Sequence, residues 1–252
     1  MSVVPPSTTA VGGVLGGTAA ARRALELRVL RFAPLAALVG GIVWFGESQS
    51  TNRKWIDVGT EAMYLGAVAL GVNILLGYTG LLSLGHAGFF VAGGYMGAVW
   101  APEWGLNPWL GLPAALLFGA ALGALLAVMC CHLRGFYLTV VTLAFGLLLP
   151  ALVVVLRSLL GGPSGRTVTR PIDTTGLPLA ANPYDGLFYL AAIVMLLALA
   201  LSWNLVRSRW GRAYMAIRES EIAARAAGVP FYWVKVSSFA VSAGIVAAAG
   251  AG

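Results

Sequence analysis

Few residues in this chain have the types and spacing that catalysis, metal binding or nucleotide binding requires. The two histidines, His86 and His132, have no carboxylate at a spacing that would complete a metal site. The two cysteines, Cys130 and Cys131, are adjacent, which excludes a CxxC metal or redox pair. Neither of the two lysines follows a glycine, so the sequence contains no GxxxxGK[ST] phosphate loop. We therefore predict no catalytic residue, no metal and no cofactor.

Apolar residues dominate the chain. Hydrophobic residues make up 59% of it and charged residues only 10%, whereas soluble domains carry about a quarter charged residues. The apolar residues come in blocks of roughly 17 to 25, the length that crosses a ~30 Å hydrocarbon core as a helix. A β-barrel would instead alternate apolar and polar residues over about ten positions, and residues 187–201 do not. The prediction is an all-α polytopic bundle in a lipid bilayer.

Seven spans are predicted, at residues 32–47, 59–78, 82–101, 109–131, 136–156, 187–206 and 235–252. Residues 1–31 have the composition of a largely disordered tail, and residues 32–252 form the predicted transmembrane domain. Because the sequence stops inside an apolar, Ala-rich block, we expect a truncated C-terminus.

Basic residues indicate the orientation. With a cytoplasmic N-terminus, eleven of the 16 Lys and Arg residues fall in the inside segments, as the positive-inside rule requires. These residues lie between apolar blocks and form no dense basic tract with aromatics, so nucleic acid is not a predicted partner. The predicted location is the cell inner membrane, with several crossings.

The longest inside loop, residues 207–234, contains a predicted short helix. Ser220 can cap it, Glu221 and Arg225 are spaced i, i+4, and Gly228 followed by Pro230 ends it. Its alanines offer a smooth face that could dock on another subunit: Ala223, Ala224, Ala226 and Ala227. A solvated charged loop is the alternative interpretation.

A second segment, Gly77 to Gly85, holds three glycines and indicates a break between spans. Backbone amides at such a break can bind a substrate carboxylate, although a plain tight turn would also explain the glycines. We predict that four side chains here line or gate a path: Tyr78, Thr79, Ser83 and His86. For His86, hydrogen-bonded packing at a helix end is the alternative. Glycine pairs at helical spacing predict tight helix packing: Gly85 with Gly88, Gly93 with Gly97, and Gly119 with Gly123.

Three stretches resemble signatures of permeases from bacterial ABC importers. Ala223-Ala224 followed by Gly228 is similar to the A-A-x-x-x-G core of the EAA loop, although Ile222 stands in place of its leading Glu. Gly77 to Tyr95 (GYTGLLSLGHAGFFVAGGY) and Leu133 to Gly146 (LRGFYLTVVTLAFG) resemble branched-chain amino-acid ABC transporter permease subunits of the LivM type. The resemblance covers roughly residues 59–252.

This resemblance implies a type I-like importer permease that works by alternating access. It also implies partners: ATP-binding subunits at the cytoplasmic face, a second permease subunit, identical or not, and a periplasmic or other extracytoplasmic substrate-binding protein. Since the partners hydrolyse ATP, the chain itself is expected to be a transport subunit and not an enzyme. The residues expected to couple it to the ATPase are Ser220, Glu221, Ala223, Ala224, Arg225 and Gly228.

Two alternatives stay open at this point. A permease for urea or short amides shares the GYTGLLSLGH-like stretch, whereas the TLAFG segment at residues 142–146 favours amino acids. An ion-coupled secondary carrier or a membrane enzyme would need paired ionisable residues at bilayer depth. The spans show none, since Glu61 is near an outer span end and Asn73 is the main polar residue of the second span.

Overall fold

The computed structural model describes residues 34–48, 53–100, 103–105, 107–130, 132–133, 135–162 and 183–252. The predicted tail, residues 1–31, lies outside these ranges. The chain divides into two compact units, Met1–Gln49 and Ser50–Gly252. In the first unit the structure describes one apolar helix, α1 (Pro34–Ser48).

The described residues of the second unit form helices and connections, with no strand among them. The helices are α2 (Arg53–Asn73), α3 (His86–Gly94), α4 (Gly111–Met129), α5 (Phe136–Val155), α6 (Arg157–Leu160), α7 (Pro183–Arg207), α8 (Arg209–Glu219), α9 (Glu221–Ala226) and α10 (Phe231–Ala251). Helix α2 continues into one π-helical turn, Ile74–Tyr78, and α3 into another, Tyr95–Trp100. A 3₁₀ turn, Pro108–Leu110, precedes α4.

Five helices of the described ranges are long and apolar enough to cross a membrane. They are Arg53–Tyr78, Gly111–Met129, Phe136–Val155, Gly186–Arg207 and Phe231–Ala251. The predicted count of seven is not confirmed. Helix α1 is shorter than a span, and the predicted span 82–101 is helical only from His86, because the backbone before it has no regular structure. A helix needs about 20 residues to cross the hydrocarbon core.

Contacts at the helix ends show the directions of two helix pairs: α10 runs antiparallel to α4, and α3 runs parallel to α5. At one end, Lys235 of α10 is buried, and its Nζ donates to the carbonyls of Leu133 at 2.7 Å and Cys130 at 3.2 Å, just beyond α4. This ammonium lies beside backbone carbonyls at the C-terminal end of α4, where the helix dipole favours a cation. At the opposite end, Tyr95 Oη donates to the Leu160 carbonyl at 2.9 Å.

Helix α10 is the centre of the bundle and packs against α2, α3 and α4. The predicted glycine pairs form part of these interfaces, since Gly93 and Gly119 both face Ala247. A Cβ on Gly123 would lie 2.6 Å from the Phe239 carbonyl oxygen and 2.5 Å from the Ala243 Cβ. Such close approach of backbones gains dispersion contacts where lipid offers no hydrophobic drive for helices to associate.

Replacement of Gly123 by alanine tests this packing. Because the added methyl would meet the backbone of α10, we expect a loss of about 1–3 kcal/mol of stability, the usual cost of overpacking. Thermal unfolding in detergent, followed by tryptophan fluorescence, should show a lower midpoint. Gly40→Ala in α1 is the control, since nothing lies within 4 Å of the position that its added Cβ would take. Equal midpoints for the two variants would contradict the packing.

Candidate functional site

Two segments carry the sequence-predicted functional residues: the break (residues 77–85) and the connector (residues 208–230) between α7 and α10. The connector opens with a capped helix. Ser208 Oγ accepts hydrogen bonds from the Trp210 amide at 3.1 Å and the Gly211 amide at 3.4 Å. Gly211 lies so close to the Val206 carbonyl that a side chain would clash, which makes the turn from α7 into α8 tight. The connector therefore follows α7 with a sharp change of direction.

The predicted helix of the connector is confirmed as α9. Ser220 is extended, with φ −161°, and it ends α8 while its Oγ accepts from the Ala223 amide at 3.2 Å to cap α9. Gly228 has φ +80°, and the Val229 amide bonds back to the Ala224 carbonyl at 3.0 Å, which is the glycine-terminated stop that the sequence indicates. A single extended residue thus joins α8 to α9.

The alanines of α9 do not share one face. Ala223, Ala226 and Ala227 are exposed, as their i, i+3, i+4 spacing allows. Ala224 is only 4% exposed and packs into an apolar cluster of the bundle, so its predicted place on the exposed alanine face is wrong. The cause is helical geometry, because Ala224 is rotated about 100° from Ala223. Ile222, at 80% exposure, extends the exposed face instead.

Helices α8 and α9 are fastened to the bundle by side chains of α8 and α10. Tyr214 and Ile217 are buried in one cluster with Ile74 of the π-helical turn. Tyr214 Oη lies 3.1 Å from Ser237 Oγ of α10, and burial raises the pKa of this phenol while that hydrogen bond lowers it. Arg225 of α9 places its guanidinium carbon 4.2 Å from the centre of the Phe231 ring, a cation–π contact. The connector is therefore packed against the bundle through several contacts.

The break has the interrupted backbone that its glycines predict. The π-helical turn ends at Tyr78, and residues 80–85 have no regular structure. Thr79 Oγ1 donates to the Leu75 carbonyl, which also accepts from the Leu81 amide at 3.0 Å. Gly80 has φ +69°, a conformation that favours glycine. These bonds close the end of α2 and turn the chain away from its axis.

Two threonines of α5 hold the remainder of the break. Thr142 Oγ1 accepts from the Leu84 amide at 3.2 Å, and Thr139 Oγ1 donates to the Leu82 carbonyl at 3.3 Å. Gly85 packs on the backbone of α5, where a Cβ would lie 2.6 Å from the Thr142 carbonyl oxygen. The two stretches that resemble importer signatures thus contact each other. Sequence reasoning missed these threonines, although hydroxyls inside an otherwise apolar span were the available signal.

His86 opens α3 and is 6% exposed. Its Nε2 lies 2.8 Å from Ser242 Oγ. Ser242 Oγ donates its own proton to the Gly71 carbonyl at 2.7 Å, so it must accept from an Nε2–H of His86. The imidazole therefore joins α3, α10 and α2. This geometry is that of a hydrogen-bonded packing residue at a helix end, the alternative role named for His86.

The structure brings the four predicted path residues together around the break, but not as an open polar site. Thr79, Ser83 and His86 are buried, and Tyr78 packs against the apolar cluster. Ser83 Oγ accepts from the Gly85 amide at 3.4 Å. Across the described residues, no group of three His, Cys, Asp or Glu side chains could hold a metal ion.

A long-range hydrogen bond joins the connector to the break. Arg218, in the last turn of α8, donates from Nη1 to the Gly77 carbonyl at the end of α2. Its Cγ lies 3.1 Å from the position that a Cβ on Gly80 would take. The sequence did not identify Arg218, because it looked like one of several basic residues of the loop. Its partners are far away along the chain and are visible only in three dimensions.

Comparison with known proteins gives two relatives of the same kind. Over 237 aligned residues the chain is 32% identical to the high-affinity branched-chain amino acid transport system permease protein LivM of Salmonella typhimurium and to that of Escherichia coli. Each alignment covers 86% of this chain and 55% of the relative, so the chain spans about half the length of the curated relatives it matches. No solved structure matches.

Family membership follows from a second comparison. Residues 55–252, which begin in the first turn of α2 and include α3 to α10, the break and the connector, match the family described as "Branched-chain amino acid transport system / permease component". This range holds both stretches that contact each other around Gly85, and it leaves out α1. The chain therefore belongs to the branched-chain amino acid transport system permease family.

Proposed function

We propose that the chain is the permease subunit of an ATP-binding-cassette importer that moves branched-chain or other hydrophobic amino acids across the cytoplasmic membrane. The two relatives are named as permease proteins of branched-chain amino acid transport systems. The observation that supports the proposal most is the connector, whose exposed small-residue face lies on α9, one residue away from α8 and its contact with the break. Such a helix offers a surface to another subunit and a route from that surface into the bundle.

The partners proposed are those of the importer class. ATP-binding subunits contact the exposed face of α9, a second permease subunit completes the transmembrane part, and an extracytoplasmic binding protein delivers the amino acid. The orientation proposed has the connector and the N-terminus in the cytoplasm of a cell whose inner membrane holds the protein. Five arginines in or beside the connector support it, since basic residues favour the cytoplasmic side: Arg207, Arg209, Arg212, Arg218 and Arg225.

The coupling residues have different tasks in this proposal. Ser220 and Gly228 define the two ends of α9, and Ala224 and Arg225 hold it to the bundle. Ala223 belongs to the exposed face with Ala226 and Ala227. Glu221 is the acidic residue of the first turn of α9, where its negative charge interacts favourably with the helix dipole.

Transport in this scheme is alternating access. When the ATPase subunits close on ATP, they displace α9, and the bundle converts between outward-open and inward-open states. The break is the element proposed to change, because its irregular backbone is held by side-chain hydrogen bonds that can re-form with other partners. Tyr78, Thr79, Ser83 and His86 line or gate the path in one of these states.

Replacement of Ala223 by aspartate tests the docking face. The residue is exposed in the first turn of α9, where a carboxylate suits the helix N-terminus, so the helix should remain intact. The new charge would be desolvated in an interface and should weaken co-purification with the ATPase subunits at least about tenfold, since burying an unpaired charge costs several kcal/mol.

Ala223→Ser is the matched control, because it adds a small neutral side chain at the same position. It should retain both co-purification and uptake. Retention of ATPase binding and normal uptake by A223D would show that α9 does not dock through this face.

A second experiment tests the orientation. In a background with Cys130 and Cys131 replaced by serine, a cysteine at exposed Ala227 should react with a membrane-impermeant maleimide in inside-out vesicles only. A cysteine at exposed Trp104, between α3 and α4, should react with the same maleimide only in cells whose outer membrane is permeabilised and whose cytoplasmic membrane is intact. Labelling of Ala227→Cys from the outside would overturn the proposed topology.

A further inference from the structure

Arg218 reaches from the connector to the backbone of the break. We infer that Arg218 is a positioning residue: it makes the break follow the movement of α9, and so ties ATP-driven motion to opening of the path. This inference rests on the proposed function. It names the residue that couples α9 to the break, which membership of the importer class does not specify.

Chain connectivity makes Arg218 sensitive to α9. Helix α8 ends at Glu219, and the single extended residue Ser220 begins α9. A displacement of α9 is therefore transmitted to the last turn of α8 across one residue. No flexible linker intervenes that could absorb the motion.

The contacts of Arg218 with the break are of two kinds. The guanidinium donates to the carbonyl of Gly77, one of the carbonyls that the end of α2 leaves without an intrahelical partner. A cation is favoured there by the helix dipole. The aliphatic part of the side chain packs over Gly80, where its Cγ would be 3.1 Å from an added Cβ. The side chain therefore contacts the break on both sides of Tyr78 and Thr79.

The packing around Arg218 limits the movement of α8 relative to α2. Ile217, beside Arg218, is buried with Ile74 and Tyr214 in one cluster, so the last turn of α8 cannot slide freely over the end of α2. On its far side the break is hydrogen-bonded to Thr139 and Thr142 of α5. Motion of α8 is thus applied at Gly77 and Gly80, and the break can follow it because its bonds to the α5 side chains can be exchanged.

The test uses the complete importer in liposomes, with its ATPase subunits and binding protein, and measures amino acid taken up per ATP hydrolysed. For Arg218→Gln we expect normal assembly and continued ATP hydrolysis, but uptake per ATP lower by on the order of tenfold, a usual size for a coupling effect. Arg218→Lys should restore part of the loss. Arg212→Gln is the matched control, since Arg212 is an exposed arginine of the same helix, and it should leave uptake per ATP unchanged.

A second readout does not depend on transport. A cysteine at exposed Leu82 in the break, in the background without Cys130 and Cys131, should change its labelling rate when ATP is trapped on the ATPase subunits. With Arg218→Gln added, the rate should no longer respond to ATP. Should Arg218→Gln fail to fold, Arg218→Met keeps the packing on Gly80 and removes only the donor, and it carries the same expectation.

The outcomes separate the inference from the function on which it rests. Unchanged uptake per ATP and an unchanged labelling response in the Arg218 variants would overturn the inference and leave the importer assignment standing. Loss of ATPase binding by Arg218→Gln would also overturn it, because Arg218 would then be a docking residue. Absence of ATP-driven uptake by the wild-type importer would overturn both.

Discussion

An interrupted helix inside a membrane protein must have its backbone groups hydrogen-bonded by the protein, and the rest of this structure depends on how the break meets that requirement. Unsatisfied amides and carbonyls are costly in hydrocarbon, so irregular backbone is tolerated only where protein or a water-filled cavity surrounds it. Here Leu75 and Thr142 accept from amides of the break, and Thr139 donates to one of its carbonyls. Arg218 supplies a donor to Gly77. These partners come from α2, α5 and α8, so the break joins three separate parts of the bundle.

The remaining architecture serves this junction. Helix α10 packs closely against α2, α3 and α4 through small residues, and Ser242 together with His86 ties α2, α3 and α10 together beside the break. Lys235 holds the start of α10 to the end of α4. Against this close-packed part, α5 and the connector each contact the break through side chains whose hydrogen bonds can be exchanged. The proposed alternation between two states needs such a division between a packed part and an exchangeable one.

Local patterns in the sequence were enough to predict most of the long helices, the break and the short helix α9. Apolar length predicted α2, α4, α5, α7 and α10, the glycines predicted the break, and Ser220 with Gly228 predicted both ends of α9. Long-range contacts were not predictable in this way. Thr142 meets the break across 58 residues and Arg218 across 141, and no local pattern marks either pairing. Ala224 was misplaced for a related reason, because only the packing shows which side of a six-residue helix faces the bundle.

The central claim is that the connector and the break move together when the ATPase subunits act. Its most direct test is a set of electron–electron distances in the assembled importer, with spin labels at exposed Ala226 of α9, Leu82 of the break and Leu125 of α4. Between the nucleotide-free and ATP-bound states, we predict an unchanged distance from residue 226 to residue 82, while both distances to residue 125 change. A change between residues 226 and 82, with residue 82 stationary relative to residue 125, would contradict the account.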